Sequence, residues 1–181
     1  VYGLGSIAKL ALFSECSDNT AKEAVMSKSL RRVETALAEA GIKVTVLEMG
    51  GETRTAEAAA REAKCEIDQI AKSIIFLGKS SREIILFITA GGNTVDGEKA
   101  ASVAGETLER ADANAVREKT GFAIGGVSPV GHLTPPRAFF DPRLFDFSVV
   151  YAAAGTPRHF FGIEPGALLR ISDARTAEFT A

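Results

Sequence analysis

"IAKSIIFLGKSSREIILFITA", residues 70–90, decides the fold. Two dense apolar runs, 70–78 and 83–90, flank the polar Lys79-Ser80-Ser81-Arg82, and Gly91-Gly92-Asn93 closes the second. Short runs rich in β-branched and aromatic residues, bounded by turn formers, read as two buried strands joined in a hairpin. One residue does not belong in such company. Alternation along the first strand puts Lys72 on the same face as Ile70, Ile74 and Phe76. A half-buried ammonium loses hydration and its pKa falls, so it persists either by snorkelling to water at the strand entrance or by binding an anion or polarised oxygen. Both readings are open at this stage.

Working outward toward the N-terminus, Leu30, Val33, Leu37 and Ala40 recur at helical spacing across 26–40, with Gly41 as a stop. The run at 42–49 alternates β-branched residues and ends in Gly50-Gly51, a strand followed by a turn. Thr55 then precedes a run of strong helix formers. Met26 opens a stretch that reads like a protein start, so residues 1–25 are expected to be an extension ahead of a domain at 26–181.

On the C-terminal side, one helix is expected to start near Asp96 and another to run from about Asp112 to Lys119. "GGVSPVGH" (125–132) follows, then the turn-prone "TPPRAFFDPRLF", a strand at 146–154, the turn "GTPRH", a short strand at 160–163 and a last helix at 165–170. Helices and strands interleave without strict βαβ alternation, and the hairpins imply antiparallel pairing. The class is α+β, a single domain built on one mixed sheet.

Composition narrows the function. The net charge of −2 provides no broad basic face, so a nucleic-acid partner would have to be gripped at a local site. No apolar run approaches the roughly 20 residues that span a bilayer, so no membrane partner is expected. Cys16 and Cys65 are isolated thiols without metal or disulfide spacing, which fits a reducing, cytoplasmic compartment. His132 and His159 are the only histidines, neither spaced with Glu or Cys as in zinc motifs, so neither metal nor other cofactor is expected. Neither GxGxxG nor a P-loop nor a GxSxG elbow is present. "ITAGGNT" could cradle a phosphate through its amides, though the signal is weak and a plain turn explains it better.

The glycines from Gly125 onward are the second unusual feature. Without Cβ atoms they permit positive φ and let a ligand approach main-chain N–H and C=O groups, while Pro129 stiffens the loop and holds Ser128 extended. The bland alternative is an ordinary turn, with His132 a structural imidazole.

Together these segments, "QIAKSIIFLG", "ILFITAGGNTVD", "GFAIGGVSPVGH" and "FDFSVVYAAAGTPRHFFGIEPGALLRI", resemble in order and spacing the YbaK/prolyl-tRNA-synthetase-associated editing-domain family over about residues 30–175. That resemblance implies a mixed, mostly antiparallel sheet curled toward a barrel and flanked by helices. It also implies a metal-free aminoacyl-tRNA deacylase that removes a wrong amino acid, such as Ala or Cys, from the acceptor end of a tRNA, usually a proline tRNA, with prolyl-tRNA synthetase as an associated partner. By the same resemblance Lys72 is the essential lysine and Gly125 and Pro129 are the fixed positions of a GxxxP loop. Gly126, Ser128 and His132 of that region, the loop Gly155-Thr156-Pro157, and Ser73 beside the lysine are then expected at the substrate. Relatives place His directly after Gly-Thr-Pro, whereas here Arg158 intervenes, and strand alternation would aim His159 away from the pocket. The competing functions are a non-catalytic module that binds aminoacyl-tRNA or a synthetase, and a small-molecule hydrolase or nucleotide-binding protein using the same pocket.

Overall fold

The hairpin forms where its sequence places it, at the centre of the sheet. In the computed structural model, which describes residues 27–50 and 55–181, strand β2 (Ile70–Gly78) pairs antiparallel with β3 (Ile84–Ala90) from Ala71↔Ala90 to Leu77↔Ile84. Gly78 N–H donates to Glu83 O, and Arg82, at φ 57°, donates back to Gly78 O. The expected extension at 1–25, Cys16 within it, and Gly51 lie outside the described residues.

Six further strands complete the sheet: β1 (Val46–Glu48), β4 (Leu108–Arg110), β5 (Arg137–Phe140), β6 (Val150–Ala153), β7 (His159–Ile163) and β8 (Ala174–Thr176). Their order is β1-β7-β6-β2-β3-β5-β8, with β4 also on β2. Four of the pairings are antiparallel, while β2 with β6, β3 with β5 and β5 with β8 are parallel. The sheet is therefore mixed and stays open, with β1 and β8 as its edges.

Both faces are covered. Leu86, Ile88 and Ala90 pack on one side with Leu30, Val33 and Leu37 of helix α1 (Lys28–Glu39), the three apolar positions of its helical stripe. On the other side Ile85 and Phe87 meet Phe139, Phe179 and the alanines of α3 (Gly97–Ala104). Each fully buried large side chain contributes about 1.5–3 kcal/mol by leaving water, and a strand buried on both faces needs a nearly continuous apolar run such as that of β3, where Thr89 alone is polar. The helices start at the expected caps: Thr55 accepts from Ala58 N–H ahead of α2 (Ala56–Ala63), Asp96 caps α3, and Asp112 caps α4 (Ala113–Thr120). Helix α5 (Pro165–Ile171) begins with proline at its first turn.

Strands β4, β5 and β8 are absent from the sequence reading. "TPPRAFFDPRLF" is not only turn: its Arg137–Phe140 lies parallel to β3, and burial of Ala138, Phe139 and Phe140 outweighs the flanking prolines.

One irregularity positions the site. Along one side of β2, β3 runs the full length. On the other, β6 pairs only with Ile70 and Ala71, and β4 only with Phe76, Leu77 and Gly78. Between Lys72 and Ile75 that side has no neighbouring strand among the described residues, because Gly155, at φ 87°, turns the chain away after β6 and Asp112 starts a helix after β4.

Candidate active site

That gap is the floor of a cavity of about 400 Å³ lined by Lys72 and Ser73 from β2, Tyr151 from β6, Gly125 and Val127 from the glycine loop, and Thr156, Pro157 and His159 beyond β6. Two segments far apart in the chain, singled out separately for an odd lysine and for exposed backbone, thus share one pocket.

Lys72 is half-buried, on the face shared with Ile74 and Phe76. Its Nζ donates to the main-chain oxygen of Asn93 at 2.6 Å, so it does not simply snorkel to solvent. Desolvation pulls its pKa below the ordinary lysine value, opposed in turn by the carboxylates of Glu57, Asp68 and Asp141. The acceptor is itself held. Asn93 Nδ2 donates to buried Asp141 at 2.8 Å, and Gly92 N–H donates to Asp68, which is paired with Arg143. A Cβ at Gly91 would stand 2.0 Å from Ile67 O, so only glycine fits this turn. Because the Gly92 amide is already taken, "ITAGGNT" is a brace for the lysine, not a phosphate cradle.

The opposite wall is the loop at Gly125, whose φ of 90° is a conformation open to glycine. Gly126, Ser128, Pro129, Gly155 and His132, all expected at the substrate, do not line the cavity. They build its back. Gly126 lies against the backbone of Thr156, where a Cβ would come within 2.6 Å. Gly155 lies against Ser29 in α1, Ser128 and Pro129 are buried, and Ser128 Oγ accepts from Val130 N–H. His132 Nε2 bonds Ser128 O at 2.7 Å and its ring stands edge-on to Phe122. Burial, with the nearby Arg32 cation, lowers its pKa to about 4. A neutral imidazole that donates to a carbonyl is a fastener. Arg32 assists, donating to Gly121 O and Gly131 O.

Gly126→Ala is accordingly expected to force this loop from its neighbour and cost about 1–3 kcal/mol, the range for overpacking a tight contact. Thermal denaturation checks it against Gly97→Ala, where an added Cβ meets nothing within 4 Å. Equal midpoints for the two variants would show that the wall yields freely.

His159 is the second correction. It lines the cavity after all, with Nδ1 2.6 Å from Thr156 Oγ1. Alternation does not apply across residues 155–158, which form a turn, and β7 begins only at His159. The inserted Arg158 is displaced outward, 3.3 Å from Glu48.

Sequence reasoning missed Asp141, Asn93 and Tyr151. The signal for Asp141 was available, since Asp followed by Pro after an apolar run is a helix start, here capping the 3-10 turn 142–146 through Arg143 N–H. One hydroxyl–imidazole hydrogen bond lines the cavity among the described residues, between Thr156 Oγ1 and His159 Nδ1. Ser73 Oγ is buried without a partner, and His159 is engaged by Thr156. Among them, too, no group of three or more His, Cys, Asp or Glu is placed to hold a metal ion, and no helix is long and apolar enough to cross a membrane. The chemistry on offer is an ammonium, main-chain dipoles and space for water and an ester.

Comparison with known proteins converges on the same region. The aminoacyl-tRNA editing domain profile matches residues 50–171. The uncharacterized protein YwhH of Bacillus subtilis (strain 168) is 31% identical over 144 residues, covering 80% of this chain and 91% of its own. A crystal structure of a protein put forward as a trans-editing enzyme for prolyl tRNA synthetase superposes with a TM-score of 0.81 at 42% identity, covering 86% of this chain and 99% of that one. The structure of the protein APE2540 gives 0.76 at 25% identity, over 83% and 99% of the two chains.

Proposed function

The chain belongs to the aminoacyl-tRNA editing domain family, and from that premise we propose that it is a deacylase acting in trans, hydrolysing the ester that joins a wrong, small amino acid to the acceptor end of a proline tRNA. The observation that carries this reading is the meeting of Lys72 and the Gly125 wall across one cavity, beside a stretch of β2 whose second edge has no partner strand among the described residues. The 42% identity to the structure put forward as a trans-editing enzyme supports the tRNA and the link to prolyl-tRNA synthetase.

An aminoacyl ester is already labile. The protein need only fix its carbonyl, admit a water on one side and stabilise the tetrahedral oxyanion with donors that do not reorganise. Main-chain groups of the Gly125 loop supply such donors, and the Lys72 ammonium offsets negative charge on the oxyanion or the terminal nucleotide. No covalent enzyme intermediate and no metal enters this scheme; water attacks, and the ribose oxygen leaves with the proton. Proposed residue roles are therefore catalysis for Lys72 and Gly125, substrate contact for Ser73, Thr156, Pro157 and His159, and support of the loop for Gly126, Ser128, Pro129, His132 and Gly155. Because the last nucleotides carry few phosphates, the net charge of −2 is no obstacle.

The test is a deacylation panel of alanyl-, cysteinyl- and seryl-tRNA for proline against correctly charged prolyl-tRNA. Release of at least one non-cognate amino acid well above the spontaneous rate, with prolyl-tRNA spared, is expected. Tight binding of all four without hydrolysis would instead assign a binding module.

A further inference from the structure

Among the described residues that line the cavity, Ser73 is the one with a buried side-chain polar atom lacking a hydrogen-bond partner, and the alternation of β2 shows where its main chain points. Gly78 N–H donates to Glu83 O on the β3 side, whereas Lys79 N–H donates to Thr107 O on the opposite side. Main-chain groups of successive residues leave a strand on opposite edges, so Ser73, in step with Lys79, directs its N–H and C=O away from β3. The β6 ladder has ended at Ala71 and the β4 ladder has not begun until Phe76, so both groups open on the cavity. The Ser73 hydroxyl is buried without a hydrogen-bond partner as well. Buried polar groups are almost always paired, so an unpartnered buried hydroxyl beside two main-chain groups on an open strand edge calls for a ligand.

An α-amino acid has the matching spacing, since its nitrogen, Cα and carbonyl are those of one strand residue. Resting on the deacylase reading, we propose that the aminoacyl group docks as a one-residue extension of the sheet: its α-ammonium donates to Ser73 C=O and its ester carbonyl accepts from Ser73 N–H. The mode is strand addition reduced to a single residue. The ammonium-to-carbonyl bond is charge-assisted and lies against the apolar walls of Val127 and Phe160, where water competes weakly. The carbonyl is then polarised by a fixed main-chain donor before water attacks. Paired residues on adjacent strands place their side chains side by side, so the substrate side chain lies next to the Ser73 hydroxyl. The substrate class is thereby narrowed to esters of amino acids with a free α-amino group.

The experiment compares alanyl-, cysteinyl- and seryl-tRNA with their N-acetylated forms and with the lactyl ester, each rate divided by the spontaneous hydrolysis of the same ester. We expect the N-acetyl and lactyl esters to fall at least ten-fold below the free aminoacyl esters. Equal normalised rates overturn the edge-docking while leaving the deacylase intact; no turnover of any ester overturns both. A second readout is independent of turnover. Adding 3′-deoxy-3′-(L-alanylamino)adenosine, a non-hydrolysable amide isostere, should shift the Ser73 amide NMR resonance and slow its solvent exchange, and its N-acetyl derivative should not. A Ser73 amide unmoved by the free-amine compound at saturating concentration counts against the proposal.

Discussion

Lys72→Ala is expected to lower deacylation of the preferred mischarged tRNA by about 100- to 1,000-fold, the loss that follows removal of one preorganised oxyanion donor, equivalent to about 2.7–4 kcal/mol. The fold should survive. Among the described residues the lysine's ammonium makes one hydrogen bond, to Asn93 O, and sits in the protein at a cost in hydration that lowers its pKa. A basic group whose pKa is lower folded than unfolded binds fewer protons in the native state, so its contribution to stability rises with pH through the interval between the two values. Below that interval, at neutral pH, the protonated amine works against folding. Lys72→Met should therefore match or exceed the parent in thermal midpoint while losing turnover, a separation that a purely structural lysine would not give. Because the charged form is the active one, turnover relative to spontaneous hydrolysis should decline at alkaline pH, beginning below the range of an ordinary lysine. Full activity in Lys72→Ala would remove the residue from the mechanism.

What the sequence disclosed follows from the range of the interactions involved. Helix α1, its stripe of Leu30, Val33 and Leu37, and the caps at Thr55, Asp96 and Asp112 are local, each readable within a few residues. The β2–β3 hairpin is local as well, and the face of Lys72 follows from counting by twos. The gap beside β2 is not local, being set by where two remote strands stop. No window of sequence contains that information. β5 escaped notice because proline and aspartate dominate its surroundings while its pairing with β3 is parallel and distant. His159 was misjudged by carrying strand alternation through a turn. His132 was placed at the substrate because a histidine in a glycine loop looks chemical, whereas burial and the bond to Ser128 O make it part of the frame.

The same long-range logic makes Asp141→Ala the substitution most damaging to the fold. Asp141 is 2% exposed, and its Oδ2 accepts from Thr89 Oγ1 at 3.0 Å, Ala90 N–H at 3.0 Å and Asn93 Nδ2 at 2.8 Å. Its Oδ1 caps the following turn through Arg143 N–H at 2.9 Å. Truncation leaves donors on the fully buried Thr89 and Ala90 without an acceptor, each costing about 1–3 kcal/mol, and removes a cap worth about 1 kcal/mol. Since Thr89 can rotate its hydroxyl, a total of about 3–5 kcal/mol is expected, read as a lower denaturant midpoint at unchanged slope. Asp141→Asn keeps two acceptor lone pairs but turns an NH₂ toward one of these donors, so it should fall between. The site must respond too, because Asn93 loses its tether and Lys72 loses one of the three carboxylates that sustain its proton. In whichever variant folds, the alkaline decline in turnover should begin at lower pH than in the parent. An Asp141→Ala protein of parental stability and parental pH profile would break the link drawn between this buried carboxylate and the lysine.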